Sequence, residues 1–194
     1  MSSENLDTRT RILEATARIL KQQGGRGVRM GDIAKETGIS RQAVYLHFPS
    51  RTDLLIETTK YTGDLLNVEE RLAPSRAAAT GLTRLRLYIE FWGNFLPEIY
   101  PVAKALMMAQ DTDEAAAAAW QDRMVAMKDG CRAAIEALQA DGQLADGWTR
   151  AKAIDALWTM LLVPNWENLT MECGWSRREY IRRMQLIAER TFVA

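Results

Sequence analysis

The sequence predicts an all-α protein, with an N-terminal three-helix domain of helix-turn-helix type followed by a larger helical domain. Apolar residues recur every three to four positions along most of the chain, which is the spacing of an amphipathic helix, and no alternating strand pattern appears. Glycine and proline fall between many of these stretches, where helices usually end. We expect about nine helices, with residues 1–52 in the first domain and residues 53–194 in the second.

The first domain is predicted from two short helices that follow a longer amphipathic one. The short helices are expected at Met30–Thr37 and Arg41–Phe48, joined by a turn at Gly38. Ser40 stands directly before the second of them, where its hydroxyl can accept from free backbone N–H groups. Ser50 occupies the same kind of position before a fourth helix. This arrangement is typical of a helix-turn-helix.

Proline positions predict where the later helices break. The pattern fails around Ala73-Pro74-Ser75, which indicates a loop, and Pro97 and Pro101 are expected to interrupt the helix that follows. Pro164 lies inside a later apolar pattern and should kink or split that helix. Ser176 is expected to cap the last helix, whose inward face includes Ile187.

The charge distribution favours nucleic-acid binding by one end of the chain. The net charge is zero, but Met1–Arg51 holds nine Arg and Lys against five Asp and Glu, a net of +4, so the remainder carries −4. A basic domain attached to an acidic one suits a protein that meets DNA through its first domain. An excess of four charges is also found on ordinary solvated surfaces.

The composition also points away from several other classes of protein. No apolar run approaches the roughly 20 residues of a membrane span, and the polar start is unlike a signal peptide, so we expect a cytoplasmic protein without a membrane partner. Cys131 and Cys173 show no metal-ligand spacing. His47 is the only histidine, and neither a nucleophile–base set nor a phosphate loop appears, so we expect no enzyme, cofactor or metal site.

The third helix carries residues suited to DNA. Arg41 and Gln42 open it, at the end that commonly meets base edges, where Arg can pair with guanine and Gln with adenine. Tyr45 and His47 lie on the same short helix. Its apolar residues, Val44 and Phe48, are expected to face inward.

The strings D-I-A-K-E-T-G-I-S, from Asp32, and A-V-Y-L-H-F-P-S-R-T-D-L-L, from Ala43, closely resemble the DNA-binding domain of TetR-type transcriptional regulators. Two positions depart from that pattern: Arg29 stands where the family usually has a Thr or Ser cap, and Gly25 where it usually has an aromatic residue. The resemblance implies that Tyr45 and His47 hold phosphates, together with Arg51. The complete DNA-binding set that we expect is Arg29, Ser40, Arg41, Gln42, Tyr45, His47 and Arg51.

The resemblance also implies how such a protein works. It implies a homodimeric repressor that binds a palindromic double-stranded DNA operator and is released by a small-molecule effector. A rival interpretation keeps the helix-turn-helix but has the second domain bind a protein partner and no small effector. An all-helical enzyme is a further alternative, which the missing catalytic groups disfavour.

The second domain holds the residues expected to bind an effector. All six tryptophans and seven of the nine methionines lie after residue 53. Methionine is common at adaptable binding surfaces, so an apolar or aromatic effector is expected, although such side chains are more often ordinary core. The predicted pocket is lined by some of Trp92, Phe95, Met107, Met108, Met124, Met127, Trp158 and Trp166.

The last two helices are expected to form the dimer interface. Paired across a two-fold axis they would make a four-helix bundle; the alternative is that they pack only on their own subunit. The predicted interface residues are Leu161, Leu162, Ile181, Met184 and Ala188.

Overall fold

The computed structural model describes the backbone of residues 3–194 and the side chains of residues 7–194. Within that range it contains ten α-helices, a π-helical turn and no β-strand, which confirms the all-α prediction. The helices are α1 (Ser3–Gln22), α2 (Met30–Thr37), α3 (Arg41–His47), α4 (Arg51–Leu65), α5 (Val68–Arg76), α6 (Gly81–Ala109), α7 (Glu114–Ala140), α8 (Arg150–Leu161), α9 (Val163–Glu167), the π-helical turn Asn168–Glu172, and α10 (Arg177–Phe192).

The chain forms two compact packing units. The N-terminal unit contains the described residues up to Leu66 together with Ile99–Asp122, and the C-terminal unit contains Asn67–Glu98 and Arg123–Ala194. These units do not follow the expected boundary at residue 52, because α4 and the end of α6 pack with the first three helices. The functional division of the chain remains a prediction.

One apolar core holds the N-terminal unit together. Ile12, Ile33, Val44 and Leu54, one from each of the first four helices, are fully buried in it. Val102 of α6 is buried in the same core. Each buried aliphatic side chain of this size contributes about 1.5–3 kcal/mol. This shared core is what fixes α2 and α3 relative to α1 and α4.

Side-chain caps begin the helices where the sequence predicted them. The Ser40 hydroxyl accepts from the Ala43 N–H at 3.0 Å, and Ser176 caps α10 in the same way. Ser50 forms a reciprocal capping box with Asp53 at the start of α4. The residue before α2, Arg29, makes no side-chain cap.

Gly25 explains one departure from the family pattern. Its φ of +77° is costly for other residues, and a Cβ placed there would lie 2.8 Å from the Pro101 carbonyl oxygen and 2.8 Å from the Lys104 Cβ. The α6 backbone therefore occupies the space that an aromatic residue would need.

Three prolines did not break the chain as predicted. Helix α6 runs without interruption through Pro97 and Pro101, so the predicted break there was wrong. An internal proline destabilises a helix by about 3 kcal/mol. Burial of Phe95, Leu96 and their neighbours stabilises this helix by about 1.5–3 kcal/mol for each side chain, which outweighs that cost. The predicted loop at residues 73–75 was also wrong, because α5 continues through Pro74.

Pro164 behaves as the sequence predicted. Helix α8 ends at Leu161, and Pro164 lies in the first turn of α9, where a missing N–H costs nothing. The Asn165 side-chain amide donates to the Thr159 carbonyl oxygen at 2.5 Å and so closes the end of α8. The pattern is therefore split into two helices.

Close helix contacts build the C-terminal unit. Gly130 of α7 allows Tyr88 of α6 to approach, and the Tyr88 hydroxyl donates to the Met127 carbonyl oxygen at 2.6 Å. Burial raises the pKa of the neighbouring Cys131 thiol to about 12, so it packs as a neutral group. Arg86 forms an ion pair with Glu189 of α10 at 2.6 Å. None of the described helices is long and apolar enough to cross a membrane.

Candidate nucleic-acid interface

Helix α3 is a short helix with one buried side. Its seven residues lie between the Ser40 cap and Phe48, whose N–H donates to the Val44 carbonyl oxygen at 3.0 Å. Val44 and Phe48 are buried in the core, while Arg41 and Gln42 are exposed. Because residues four apart share a face, the helix has a buried stripe and an exposed stripe. The exposed side is the one that could enter a groove.

Arg9 of α1 holds the end of α3. Its guanidinium donates to the His47 carbonyl oxygen at 2.9 Å and forms an ion pair with Glu57 of α4, also at 2.9 Å. The same group lies 4.3 Å from the centroid of the Phe48 ring. One side chain therefore ties α1, α3 and α4 together at the point where the last carbonyl groups of α3 lack helical partners.

Two of the predicted DNA-binding side chains contact each other. The Arg41 guanidinium donates to the Tyr45 hydroxyl at 3.4 Å and lies 5.6 Å from the centroid of its ring. Tyr45 is 38% exposed, so one side of the ring remains open to a partner. Gln42, on the neighbouring stripe, is exposed, and His47 is half-buried beside the Arg9 contact.

Arg29 and Arg51 are exposed and lie outside α3. Arg51 begins α4, and its guanidinium packs against Gly27, where a Cβ would lie 2.7 Å from the Arg51 Nη2. Gly27 has a φ of +103°, so the turn and the close contact both favour glycine. Arg51 also lines a cavity of about 250 Å³ within the N-terminal unit, together with Thr52, Met108 and Asp113.

Asp113 joins the α6–α7 connection to α4. Its carboxylate accepts from the Thr52 hydroxyl at 2.5 Å and from the N–H groups of Ala115 and Ala116 at 3.0 Å each, so it also caps α7. The hydrogen bond from Thr52 has the largest effect on the Asp113 carboxylate. Together with the two backbone hydrogen bonds it lowers the pKa of Asp113 below its ordinary value. This contact brings residues 99–122 to the unit that carries α3.

Comparison with known proteins decides the family. Residues 12–58, which include α2, α3 and the first part of α4, match the family of bacterial regulatory proteins called tetR. A stretch of 54 residues, or 28% of this chain and 25% of the relative, is 41% identical to the transcriptional regulator AcrR of Shigella flexneri. Residues 12–58 of the chain belong to the TetR family.

Solved structures extend the likeness in fold to the whole chain. A regulator of Saccharomonospora viridis, crystallised with choline, has a TM-score of 0.82 at 22% identity, covering 97% of this chain and 98% of that one. FadR of Bacillus subtilis, crystallised with stearoyl-CoA, has a TM-score of 0.74 at 14% identity, covering 94% and 98%. The curated match, by contrast, spans only about a quarter of the length of AcrR.

The predicted pocket residues fall into both packing units. Met107 and Met108 belong to the N-terminal unit, and Met108 is 53% exposed on the wall of the cavity beside Arg51. The remaining six belong to the C-terminal unit. Phe95, Met127 and Trp166 are buried there, while Trp92, Met124 and Trp158 are half-buried.

An aromatic cluster on α6 accounts for part of that set. The ring centroids of Trp92 and Phe95 lie 5.6 Å apart, and Phe91 stacks on Phe95 at 5.1 Å. The Arg71 guanidinium lies 5.6 Å from the Phe95 centroid and pairs with Glu98 at 2.9 Å. The rings provide apolar area, and the ion pair provides polar groups beside it. That these residues form an effector pocket remains a prediction.

The predicted dimer residues are largely buried within their own chain. Leu161, Met184 and Ala188 have almost no exposed surface, so a partner subunit could not reach them. Leu162 and Ile181 are half-buried. The large apolar side chains that α10 exposes are Leu186 and Ile187. The expectation that Ile187 faces inward was therefore wrong, since this side chain is 43% exposed. If α10 forms an interface, these two residues supply its apolar surface.

Sequence reasoning missed two residues of this region. The three contacts of Arg9 depend on tertiary structure and leave no local sequence signal. Leu46 is visible in the string Y-L-H-F, and its two-residue spacing from Val44 already places it away from the buried side.

Replacing Arg9 tests whether it holds α3. Arg9→Gln should lower the free energy of unfolding by about 1–3 kcal/mol, because the His47 carbonyl and Glu57 each lose a charged hydrogen-bond partner. Urea unfolding of the full chain measures this. The matched control is Arg18→Gln, which removes only the exposed pair with Glu36 and should cost less than about 1 kcal/mol.

The same comparison has a defined pH dependence. The hydrogen bond from Lys60, and then that from Arg9, lower the pKa of Glu57 below its ordinary value of 4.5. A lowered pKa stabilises the fold above the ordinary value, and the contribution is lost as the pH falls through the lowered one. The Arg9→Gln deficit should therefore shrink below about pH 4. A deficit equal to that of Arg18→Gln at every pH would contradict the role of Arg9.

Proposed function

We propose that this TetR-family chain is a homodimeric repressor that binds a palindromic operator through α3 and is released by a small apolar or aromatic effector. The proposal rests on the exposed side of α3, which carries Arg41 and Gln42. The Ser40 cap and the contacts of Arg9 hold this helix in place. It lies within the segment that matches the family. Binding to double-stranded DNA follows from this geometry, since a short rigid helix fits the major groove.

We assign the base contacts and the phosphate contacts to different residues. Arg41 and Gln42 would read base edges, each good pair contributing about 1–3 kcal/mol of discrimination. To do so, Arg41 would leave its contact with Tyr45, a surface cation–π interaction of about 0.5–1 kcal/mol. That cost is smaller than the gain. The phosphate contacts fall to Arg29, Tyr45, His47 and Arg51, with Ser40 beside them at the start of α3.

Effector control is proposed for the C-terminal unit. The α6 aromatic cluster offers apolar area there, and the buried Tyr180 hydroxyl and Trp158 indole N–H have no hydrogen-bond partner among the described residues. A ligand with an apolar body and a polar group would suit such surroundings. Proteins of the same fold crystallised with choline and with stearoyl-CoA support this assignment.

Release requires a difference in ligand affinity between two conformations. An effector that bound the DNA-competent and the released conformation equally would shift nothing, however tightly it bound. We therefore propose that the effector prefers a conformation in which the two α3 helices of the dimer no longer match adjacent major grooves.

The salt dependence of binding tests the phosphate contacts. Arg51→Ala should weaken binding to all DNA sequences alike and flatten the slope of log K against log salt by about 0.9, the loss of one phosphate contact. Fluorescence anisotropy with a labelled duplex at several salt concentrations measures the slope. Arg132→Ala, an exposed arginine on α7, is the control and should leave it unchanged. An unchanged slope for Arg51→Ala would remove Arg51 from the phosphate set.

The dimer is tested on the exposed apolar side of α10. Ile187→Glu should produce a monomer, because an interface would bury the new carboxylate without a partner, and the monomer should lose tight operator binding. Sedimentation velocity gives the mass. Val125→Glu alters a similarly exposed apolar residue of α7 and should leave the dimer intact. A dimer that persists in Ile187→Glu would place the interface elsewhere.

Tryptophan emission tests the effector, since every tryptophan lies after residue 91. A screen of apolar aromatic compounds should give hits that change the emission. Bound operator should lower the affinity for such a compound by the same factor by which the compound lowers the affinity for operator, a coupling of about 1–3 kcal/mol. Trp158→Phe should reduce the response. Trp148→Phe, which alters a ring packed on Phe192, should not. Hits that bind equally with and without operator would favour the interpretation in which a protein partner replaces the effector.

A further inference from the structure

Leu46 is the most exposed large apolar side chain in the described part of the chain. It is 82% exposed, and it lies on α3 between Tyr45 and His47. Single exposed leucines are common on protein surfaces. This one stands out by its position, because α3 is the helix assigned to the DNA groove, and its other exposed side chains are polar or charged.

The helix geometry points Leu46 directly away from the core. At about 100° per residue, Gln42 and Leu46 both project about 160° around the helix axis from Val44, which is fully buried. The two are also four residues apart and so lie on one face. Of the four stripes of this short helix, theirs is the one farthest from the domain. A surface that docks on the side of α3 opposite Val44 therefore contacts Gln42 and Leu46 first.

The backbone that carries Leu46 is already fixed. Ser40 caps one end of α3, and at the other end Arg9 holds the carbonyl group of His47, the residue after Leu46. The Phe48 N–H closes the last turn on Val44. Because the backbone is held before any partner arrives, a contact by Leu46 requires only its own side chain to become ordered.

The chemical groups in the major groove determine what an apolar side chain can recognise there. Among the base edges of the major groove, the apolar group is the C5 methyl of thymine, while the others are hydrogen-bond donors and acceptors. Resting on the proposed DNA-binding function, we infer that Leu46 packs on a thymine methyl group in each half-site and selects for thymine at that position. Leucine offers no hydrogen bond, so its discrimination comes from the methyl group alone.

The surroundings favour DNA over a protein partner for Leu46. The other exposed side chains of α3 are Arg41, Gln42 and Tyr45, so this helix forms no aliphatic patch around Leu46. A protein interface would need such a patch at its centre. The exposed Arg41 cation on the same helix suits a groove in which phosphates flank a methyl group.

The spacing on α3 also locates the thymine. Gln42 and Leu46 are separated by about 6 Å along the helix, which corresponds to about two base steps. The thymine should therefore lie within about two base pairs of the position whose preference is relaxed by Gln42→Ala. Selection of duplexes from a random pool, with the full-length wild-type chain and with Gln42→Ala, gives both the operator and that position.

The test replaces each thymine of the selected operator with uracil, one at a time, which removes only the methyl group. At one position per half-site, the wild-type chain should bind about fourfold more weakly, and about fifteenfold more weakly when both half-sites are changed. Leu46→Ala should bind the thymine and uracil duplexes equally. Leu65→Ala changes another exposed leucine of the same unit outside α3 and should keep the full sensitivity.

Each outcome separates this inference from the proposed function. If specific, salt-dependent binding is found but every uracil duplex binds like its thymine parent, the inference is overturned and DNA binding stands. The inference is also overturned if the Leu46→Ala variant keeps the sensitivity to uracil. The same holds if this variant has altered self-association and an unchanged affinity for DNA. If no duplex is selected at any salt concentration, both fail together. An unchanged melting temperature confirms that Leu46→Ala folds.

Discussion

Beyond the apolar core, the candidate DNA-binding surface depends on one interaction, the contact of Arg9 with the end of α3. A seven-residue helix is too short to be stable alone, because the cost of starting a helix is spread over few hydrogen bonds. Its stability must come from its buried stripe, its caps and its neighbours. Arg9 provides the last of these, since one guanidinium satisfies the His47 carbonyl, pairs with Glu57 and covers the Phe48 ring.

The same constraint explains why the candidate interface can be both exposed and well ordered. Val44 and Phe48 direct all the apolar packing of α3 inward, so Gln42 and Leu46 project outward without having to stabilise anything. A surface fixed in this way loses little conformational entropy when it binds. Specificity then depends on the few side chains of one short helix, which is why a second copy of α3 in a dimer would be needed for selective binding.

Helix α6 shows how tertiary packing can outweigh local preference. Its first part belongs to the C-terminal unit and its last part to the N-terminal unit, where Val102 joins the core of the first four helices. Both internal prolines, Pro97 and Pro101, lie near this change of unit. Buried side chains on either side contribute more than the roughly 3 kcal/mol that each proline costs, so the helix continues.

The sequence by itself determined the features that depend on residues close together in the chain. Amphipathic spacing defined the all-α fold, serine hydroxyls marked the caps, Pro164 split its helix, and the strings around Gly38 and Tyr45 identified the family. Only the tertiary structure decided the features that depend on distant neighbours: the joining of residues 99–122 to the N-terminal unit, the clamp by Arg9, and the burial of Met184 and Ala188 within their own chain. The physical reason is that caps and periodicity are local, whereas burial is decided by whichever element packs against a side chain.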